Sequence, residues 1–239
     1  MKYQELHFPA IDSTNDYVKA HQDELADLAV VSADYQSKGK GRNERSWLAK
    51  AGENLLFSLL IKSPKTLRFG AKLSLVAAVI VAKTIEYFGL ADVSLKWPND
   101  VYIHGKKTCG ILLEGQLPNF IVIGIGINVN QTEFLGEYRH QPTSLSLELG
   151  KDIDIAAFKE RLFNNLYEAF CSLDSLKPYL LYFRKHDFLL GKMVYATLND
   201  EQCWGLIRGV DDEFRILFEP EGSGNIYVLS SGEIQFHLE

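Results

Sequence analysis

The chain has 239 residues, of which 46% are hydrophobic and 23% are charged. This composition excludes a disordered chain, a collagen-like repeat and a disulfide-stabilised miniprotein. The net charge of −6 gives no general attraction to nucleic acid. Three cysteines without CxxC spacing indicate neither a zinc site nor a disulfide framework, so a cytoplasmic location is the simplest expectation. The sequence shows no secretory signal and no apolar stretch of about 20 residues that would span a membrane.

The first 187 residues mix helical and strand patterns and predict an α+β domain. Ser13, with Asp16 three residues later, predicts a capped helix start. Residues 36–52 have no apolar period and predict a long loop, a feature that is often functional in compact domains. The other predicted elements are strands at 28–35 and 54–61, a helix at 71–88 ended by Gly89, strands at 93–97, 100–103, 110–114 and 120–128, and helices at 155–170 and about 175–183.

Residues 188–239 have a different pattern, with five short strand-like runs separated by turn residues. Such a series of short strands is typical of a small β-barrel. We therefore expect two units, a larger domain at 1–187 and a small β domain at 188–239.

The predicted loop is strongly basic, with a net charge of +4 between residues 36 and 50. Gly39 and Gly41 allow its backbone to approach a ligand closely, and cations on such a loop suit a ligand that carries phosphate. The loop does not match a nucleotide-binding P-loop, because no GKS or GKT follows, and a solvated basic loop is the alternative. Its cations are Lys38, Lys40, Arg42, Arg45 and Lys50.

Two further segments could each be a structural turn or part of a site. In residues 96–100, Lys-Trp-Pro-Asn-Asp, Pro98 fixes a turn that leaves Asn99 and Asp100 available at a strand edge. Lys107 lies at the entry to an apolar strand, where a lysine either protects a sheet edge or directs its ammonium into a site.

Gly124 and Gly126 share one face of a predicted central strand, and Asn128, two residues further on, lies on the same face. Glycine in a strand costs about 0.5–1 kcal/mol relative to alanine. The pair therefore indicates that a flat group packs on this face, with a bulge or a close helix contact as the alternative.

Taken together and in this order, these motifs resemble the biotin protein ligase family. The resemblance spans most of residues 11–130, and the C-terminal unit is similar to the family's SH3-like domain. It implies a mixed β-sheet catalytic domain of the biotin/lipoate ligase type, packed with helices and followed by a small SH3-like β-barrel. The matching segments are DSTN at 12–15, Gln36 with GKGR at 39–42 and Trp47, KWPND at 96–100, KK at 106–107 with GILLE at 110–114, and GIGIN at 124–128.

The resemblance implies a ligase that works in two steps. Biotin reacts with ATP, supplied with Mg²⁺, to give biotinoyl-5′-AMP and pyrophosphate. The biotinyl group then passes to a lysine on the biotin carrier domain of a biotin-dependent carboxylase.

The same resemblance assigns residues to roles. Lys107 and Arg42 are expected to be catalytic, because their positive charges would stabilise the transition state, and Trp47 is expected to stack on adenine. The biotin site is expected to contain Ser13, Thr14, Gln36, Gly39, Lys40, Arg42, Lys107, Gly110, Gly124 and Gly126. The nucleotide site is expected to contain Arg42, Arg45, Trp47, Asn99, Asp100, Lys107 and Asn128, with Mg²⁺ near Asp100.

The sequence departs from the family pattern in the loop, where GRGRRGRxW is replaced by GKGRNERSW at 39–47. Lys40 replaces an arginine, and Asn43 and Glu44 replace an Arg-Gly pair, which lowers the local charge. Repressor members of the family carry an N-terminal winged helix-turn-helix, whereas this sequence starts at the first strand, so DNA binding is not expected. A lipoate-type ligase of the same superfamily and a non-catalytic biotin-binding module remain alternatives, and the chain could be a monomer or a homodimer.

Overall fold

A computed structural model describes residues 3–43, 45–136, 138, 140–198, 201–230 and 234–237. Its elements, in chain order, are β1 Glu5–Phe8, α1 Thr14–Ala20, β2 Val30–Ala33, β3 Asn54–Ile61, α2 Pro64–Leu67, a 3₁₀ turn Gly70–Lys72, α3 Leu73–Tyr87, β4 Val93–Lys96, β5 Asp100–Ile103, β6 Lys106–Gln116, β7 Phe120–Asn128, α4 Leu145–Leu149, α5 Ile155–Cys171, α6 Lys177–Lys185, β8 Met193–Leu198, β9 Glu201–Val210, β10 Ile216–Pro220, β11 Tyr227–Leu229 and β12 Ile234–His237.

Seven strands form a mixed sheet in the order β1-β2-β3-β7-β6-β5-β4. The β1–β2 pair is parallel, and the other neighbours are antiparallel. The predicted strands of this sheet are confirmed to within a few residues. Sequence patterns did not predict the short elements β1, α2 and α4, which have four or five residues each.

The sheet buries one face under helices α3 and α5. Alternate residues of β3, such as Phe57 and Leu59, and of β7, such as Ile123 and Ile125, point into this core. Helix α3 is apolar on most sides and buried along most of its length. It ends before Gly89, whose φ of +92° is a conformation that glycine adopts readily.

The opposite face is covered only in part. Helix α1 packs there through Val18, against Val31, Leu60 and Val122. Ser13 caps α1, as predicted, and its side chain accepts a hydrogen bond from the Asp16 backbone N–H. Beyond α1, the same face of β3, β6 and β7 forms the floor of a pocket.

The C-terminal strands form a five-stranded antiparallel sheet in the order β11-β10-β9-β8-β12. The predicted fold class, a mixed-sheet α+β unit followed by a small β unit compatible with an SH3-like domain, is therefore confirmed. The boundary after residue 187 stays a prediction. The two units share core contacts, since Phe183 packs edge-on against Phe214 and the Trp97 indole N–H donates to the Phe214 carbonyl at 2.9 Å. Among the described residues, no helix combines the length and apolarity needed to cross a bilayer.

Candidate active site

A cavity of about 550 Å³ lies on the partly covered face of the seven-stranded sheet. This volume suits a small-molecule ligand. Every residue predicted for the biotin and nucleotide sites lines it except Gly39, which lines a smaller adjoining depression. The structure thus brings together segments that are up to 115 positions apart in the sequence, from Ser13 to Asn128; their individual roles stay predictions.

The floor of the pocket is bare backbone. Gly110 on β6 and Gly126 on β7 are directly paired across the strands, and the Trp47 indole lies on both. A Cβ atom on Gly126 would be 2.5 Å from Trp47 Cε2, and one on Gly110 would be 2.7 Å from Trp47 Cζ3. The flat group that the two strand glycines predicted is therefore, at Gly126, a tryptophan of the chain itself.

Gly124 is covered by a different group. A Cβ atom at this position would overlap the Asn15 amide, with the Asn15 Cγ at 2.8 Å. Asn15 is buried and is held by Ser58 on β3, the strand neighbour of Gly124. Both glycines therefore make room for side chains of the pocket wall. At Gly124 the structure shows the close helix contact that was the alternative interpretation, because Asn15 belongs to α1.

One end of the pocket is polar and uncharged. Gln36 Oε1 accepts a hydrogen bond from the Thr14 backbone N–H at 2.7 Å and lies 3.0 Å from Thr14 Oγ1. Ser13 lies beside them as the α1 cap, and its side chain is buried. This end therefore offers neutral hydrogen-bonding groups without a formal charge.

The other end of the pocket is charged. The Lys107 ammonium lies 2.8 Å from the Asp100 carboxylate, and the Arg42 guanidinium donates to Asn99 Oδ1 at 3.1 Å. Asn99 in turn donates from its amide to the Ile111 carbonyl, which fixes its orientation. The turn at residues 96–100 and the strand entry at Lys107 therefore meet at one place, as the site interpretation of both segments requires.

The pocket carries a large excess of positive charge. Burial lowers the pKa of Arg42 from its ordinary value, and the nearby Arg45 charge adds to this, while Asp100 opposes it. Arginine nevertheless remains protonated in proteins, so Arg42 is a partly desolvated cation that an anionic ligand would stabilise. Among the described residues that line the pocket, one carboxylate, Asp100, faces five cations: Lys40, Arg42, Arg45, Lys96 and Lys107.

Some cations of the basic loop are already paired in the structure. Lys38 contacts Asp12 at 2.8 Å, and Lys40 contacts Asp16 at 2.7 Å. The loop folds back on itself, since the Trp47 backbone N–H donates to the Gly39 carbonyl at 2.9 Å. These contacts place Arg42, rather than Lys38 or Lys40, nearest to the charged end of the pocket.

Asn128 offers one free acceptor to the pocket. Its amide nitrogen donates to the Thr143 carbonyl at 3.0 Å. Its amide oxygen is buried and has no hydrogen-bond partner among the described residues, and the same holds for the Trp47 indole nitrogen. A buried polar atom without a partner is costly, so a ligand that hydrogen-bonds to either atom would gain binding free energy.

The sequence interpretation missed part of the pocket wall. Lys96 was noted within its motif but not assigned to the site, and it lies 3.2 Å from His140 Nε2. Phe134, Tyr138 and His140 belong to the connection after β7, which has no periodic pattern. The one available signal was the presence of aromatic and histidine side chains in a polar loop. The same connection holds Lys107 in place, because the Lys107 N–H and C=O bond to residues 141 and 143.

The described residues do not form a resident metal site. They contain no cluster of three or more histidine, cysteine, aspartate or glutamate side chains that could hold an ion. Asp100, the carboxylate expected near Mg²⁺, is paired with Lys107. The arrangement fits an ion that arrives on the phosphates of a nucleotide better than one held by the protein alone.

Comparison with known proteins gives a consistent result. Residues 7–130, just over half of the chain, match the model of the biotin/lipoate A/B protein ligase family. The bifunctional ligase/repressor BirA of Escherichia coli is 32% identical over 221 residues, which cover 90% of this chain and 68% of that protein. The biotin–[acetyl-CoA-carboxylase] ligase of Mycobacterium tuberculosis is 30% identical over 231 residues, covering 93% of this chain and 85% of that protein.

A solved structure also matches nearly the whole chain. The biotin protein ligase from Aquifex aeolicus, determined in complex with biotin and ATP, superposes with a TM-score of 0.86 and 29% identity over 99% of both chains. Fold, motif order and overall sequence similarity agree. The chain therefore belongs to the biotin/lipoate A/B protein ligase family.

Proposed function

We propose that this chain is a biotin–protein ligase that activates biotin with ATP to biotinoyl-5′-AMP and transfers the biotinyl group to a lysine of a carrier domain. The observation that carries the proposal is a pocket with a neutral polar end and a strongly cationic end, in a chain whose net charge is −6. Biotin has the matching pair of ends, a neutral ureido ring and a carboxylate. The relatives named as biotin ligases and the similar structure bound to biotin and ATP support it.

The first step joins two anions. An oxygen of the biotin carboxylate attacks the α-phosphorus of ATP, and the bond to pyrophosphate breaks. Lys107 and Arg42 are the cations at the charged end, and their charges would offset the repulsion between carboxylate and triphosphate. Fixed charges in a partly buried pocket are effective because they need little reorganisation during the reaction.

The second step uses the mixed anhydride as the acyl donor. The ε-amine of the carrier lysine attacks the acyl carbon, the bond to AMP breaks, and the amine loses a proton.

Asn128 Oδ1 and the Trp47 indole N–H are, among the described residues, a free acceptor and a free donor for the nucleotide. Mg²⁺ would enter with ATP, near Asp100.

The proposed partner is the biotin carrier domain of a biotin-dependent carboxylase. Two relatives, from Mycobacterium tuberculosis and Paracoccus denitrificans, are named as ligases for acetyl-CoA carboxylase. A cytoplasmic location fits such a partner and the three free cysteines. The acidic net charge favours a protein partner over nucleic acid.

A transfer assay tests the proposal. The purified chain is incubated with ATP, Mg²⁺ and a biotin carrier domain, with labelled biotin or labelled lipoate in parallel, and pyrophosphate release is measured with and without the carrier. We expect labelled carrier with biotin only, together with biotin-dependent pyrophosphate release. Labelling with lipoate instead would identify a lipoate-type ligase, and binding of biotin without pyrophosphate release would identify a non-catalytic module.

A further inference from the structure

A chain of polar contacts runs along one face of the sheet, from Glu114 beside helix α1 to the neutral end of the pocket. Glu114 on β6 accepts from Lys19 Nζ at 2.6 Å through one carboxylate oxygen and from Asn15 Nδ2 at 2.7 Å through the other. Asn15 Oδ1 lies 2.6 Å from Ser58 Oγ, and Ser58 Oγ lies 2.7 Å from Thr14 Oγ1. The charge of Glu114 is therefore connected to a residue that lines the pocket.

The middle of this chain is shielded from water. Thr14 is 3% exposed, Asn15 is 4% exposed and Ser58 is fully buried. Buried hydroxyl and amide groups cannot exchange their partners for water, so the direction of each hydrogen bond depends on its neighbours.

The hydrogens can be assigned by counting donors. A carboxylate only accepts, so the Asn15 nitrogen must face Glu114 and the Asn15 oxygen must face Ser58. That oxygen cannot donate, so the single hydroxyl hydrogen of Ser58 points to Asn15. The Ser58 oxygen is then free to accept the hydroxyl hydrogen of Thr14.

This assignment leaves one contact at the pocket without a hydrogen. The contacts Asn15–Ser58, Ser58–Thr14 and Thr14–Gln36 share only two hydroxyl hydrogens. Ser58 donates to Asn15, so the one Thr14 hydrogen can go either to Ser58 Oγ at 2.7 Å or to Gln36 Oε1 at 3.0 Å. We assign it to the shorter contact, because two oxygens without a hydrogen between them repel more strongly at the shorter distance. Thr14 Oγ1 and Gln36 Oε1 are then both acceptors. Gln36 cannot supply one, because its oxygen is held in place by the Thr14 backbone N–H. A ligand N–H could donate a hydrogen bond to these two acceptors.

We propose that Glu114 is a positioning residue that, through Asn15 and Ser58, makes Thr14 and Gln36 acceptors for an N–H group of the bound ligand. This inference rests on the proposed function, in which the ligand is biotin and its ureido ring supplies the N–H. Glu114 touches neither ligand nor reacting atoms; it acts by fixing the direction of the hydrogen bonds.

Glu114→Gln reverses this direction. The Lys19 ammonium only donates, so it takes the oxygen of the new amide, and the amide nitrogen then faces Asn15. The Asn15 amide flips, Ser58 donates to Thr14, and Thr14 donates to Gln36. Gln36 Oε1 then accepts from the protein itself, and the pair of acceptors for a ligand N–H is lost. We expect the KM for biotin in pyrophosphate release to rise by about tenfold or more, with kcat at saturating biotin retained, since loss of one such hydrogen bond is of this size.

Lys19→Met provides the diagnostic background. Without the ammonium, the amide introduced by Glu114→Gln can turn its oxygen toward Asn15 and restore the original direction. The Glu114→Gln change should therefore cost less than about threefold in biotin KM in the Lys19→Met background, against about tenfold in the native background. A purely structural role of Glu114 would give the same loss in both backgrounds.

The outcomes separate this inference from the function on which it rests. If the native chain shows no biotin binding by calorimetry, the proposed function itself fails. If the native chain binds biotin but Glu114→Gln binds equally well, or loses equally in both backgrounds, the positioning role of Glu114 is overturned. Should Glu114→Gln not fold, Ser58→Ala interrupts the same chain, and an unchanged biotin KM in that variant would overturn the proposal.

Discussion

The Lys107 ammonium and the Asp100 carboxylate lie 2.8 Å apart at the charged end of the pocket. Lys107 is near the start of β6, and its backbone is held by the connection after β7. The ion pair keeps the ammonium in the pocket before any substrate arrives. An anionic ligand would then meet a charge that is already in position, which is the arrangement that lowers the cost of reorganisation.

Lys107→Ala should lower biotin-dependent pyrophosphate release by about 10²–10³-fold, because it removes a positioned charge from the transition state. The measurement is the rate at saturating ATP and biotin, with circular dichroism to verify the fold. Lys106→Ala is the matched control, since Lys106 is the neighbouring residue and contacts Glu148 outside the pocket. Activity of the Lys107 variant close to that of the Lys106 variant would contradict the catalytic assignment.

Binding of biotin should move the Trp47 indole, because the indole lies on the Gly110 and Gly126 backbone expected to carry the biotin ring. We expect a change in tryptophan emission on titration with biotin. The chain has three tryptophans, so variants assign the signal. Trp47→Phe should abolish the change and Trp204→Phe, which alters an exposed ring, should retain it. A biotin titration that leaves the emission of the native chain constant would show that ring and indole do not compete.

The longer elements could be predicted from the sequence for two different reasons. In α5 the apolar residues recur at helical spacing, whereas α3 and β3 are continuous apolar runs whose lengths suit a helix and a strand. The strand glycines could be marked as well, since a bare backbone in a central strand needs a packing partner. That partner is Trp47, 79 positions before Gly126, and no local pattern connects two such positions. The loop cations were interpreted as one basic group, but the pairing of Lys38 and Lys40 with Asp12 and Asp16 depends on the fold.

Ser58 shows a second limit of sequence reasoning. It lies within the apolar run of β3, where one serine among leucines carries no signal of a role. Only the pairing of β3 with β7 opposite Gly124 places its hydroxyl under Asn15. Residues that act through a cross-strand register cannot be identified until the register is known.

Trp97→Phe should destabilise the fold by about 1–3 kcal/mol, because it leaves the buried Phe214 carbonyl without its indole donor. The contact joins the turn before Asn99 and Asp100 to the C-terminal sheet, so we also expect a higher KM for ATP. Urea denaturation gives the free energy of unfolding. Trp204→Phe, on the exposed side of the C-terminal sheet, should change it by less than about 0.5 kcal/mol. Equal stability of the two variants would show that the indole bond is not a link between the units.

Asp187, at the junction of the two units, should make stability fall as pH rises. Burial raises the pKa of its carboxyl to about 6, although hydrogen bonds from the backbone N–H groups of Leu189 and Leu190 and the Lys192 charge oppose the shift. The second carboxylate oxygen is buried without a partner among the described residues. In the unfolded chain the same carboxyl titrates near its ordinary pKa of 3.8. The folded state therefore binds the proton more tightly than the unfolded state does. The resulting contribution to the free energy of unfolding is present below about pH 4 and is lost as pH rises through about 6.

Asp187→Asn removes this ionisation and keeps an oxygen for the Leu189 N–H. The variant should exceed the native chain in free energy of unfolding by about 1–3 kcal/mol at about pH 7.5, where the native carboxylate is ionised and partly desolvated. The difference should shrink steadily as pH falls to about 4. Urea denaturation across this range measures it, and Asp152→Asn, at an exposed position, controls for the loss of one negative charge. Only a pKa that differs between the folded and unfolded states can make the stability difference depend on pH. A difference between the native chain and Asp187→Asn that stays constant from about pH 4 to about pH 7.5 would therefore show that the pKa of the Asp187 carboxyl is not raised in the folded protein.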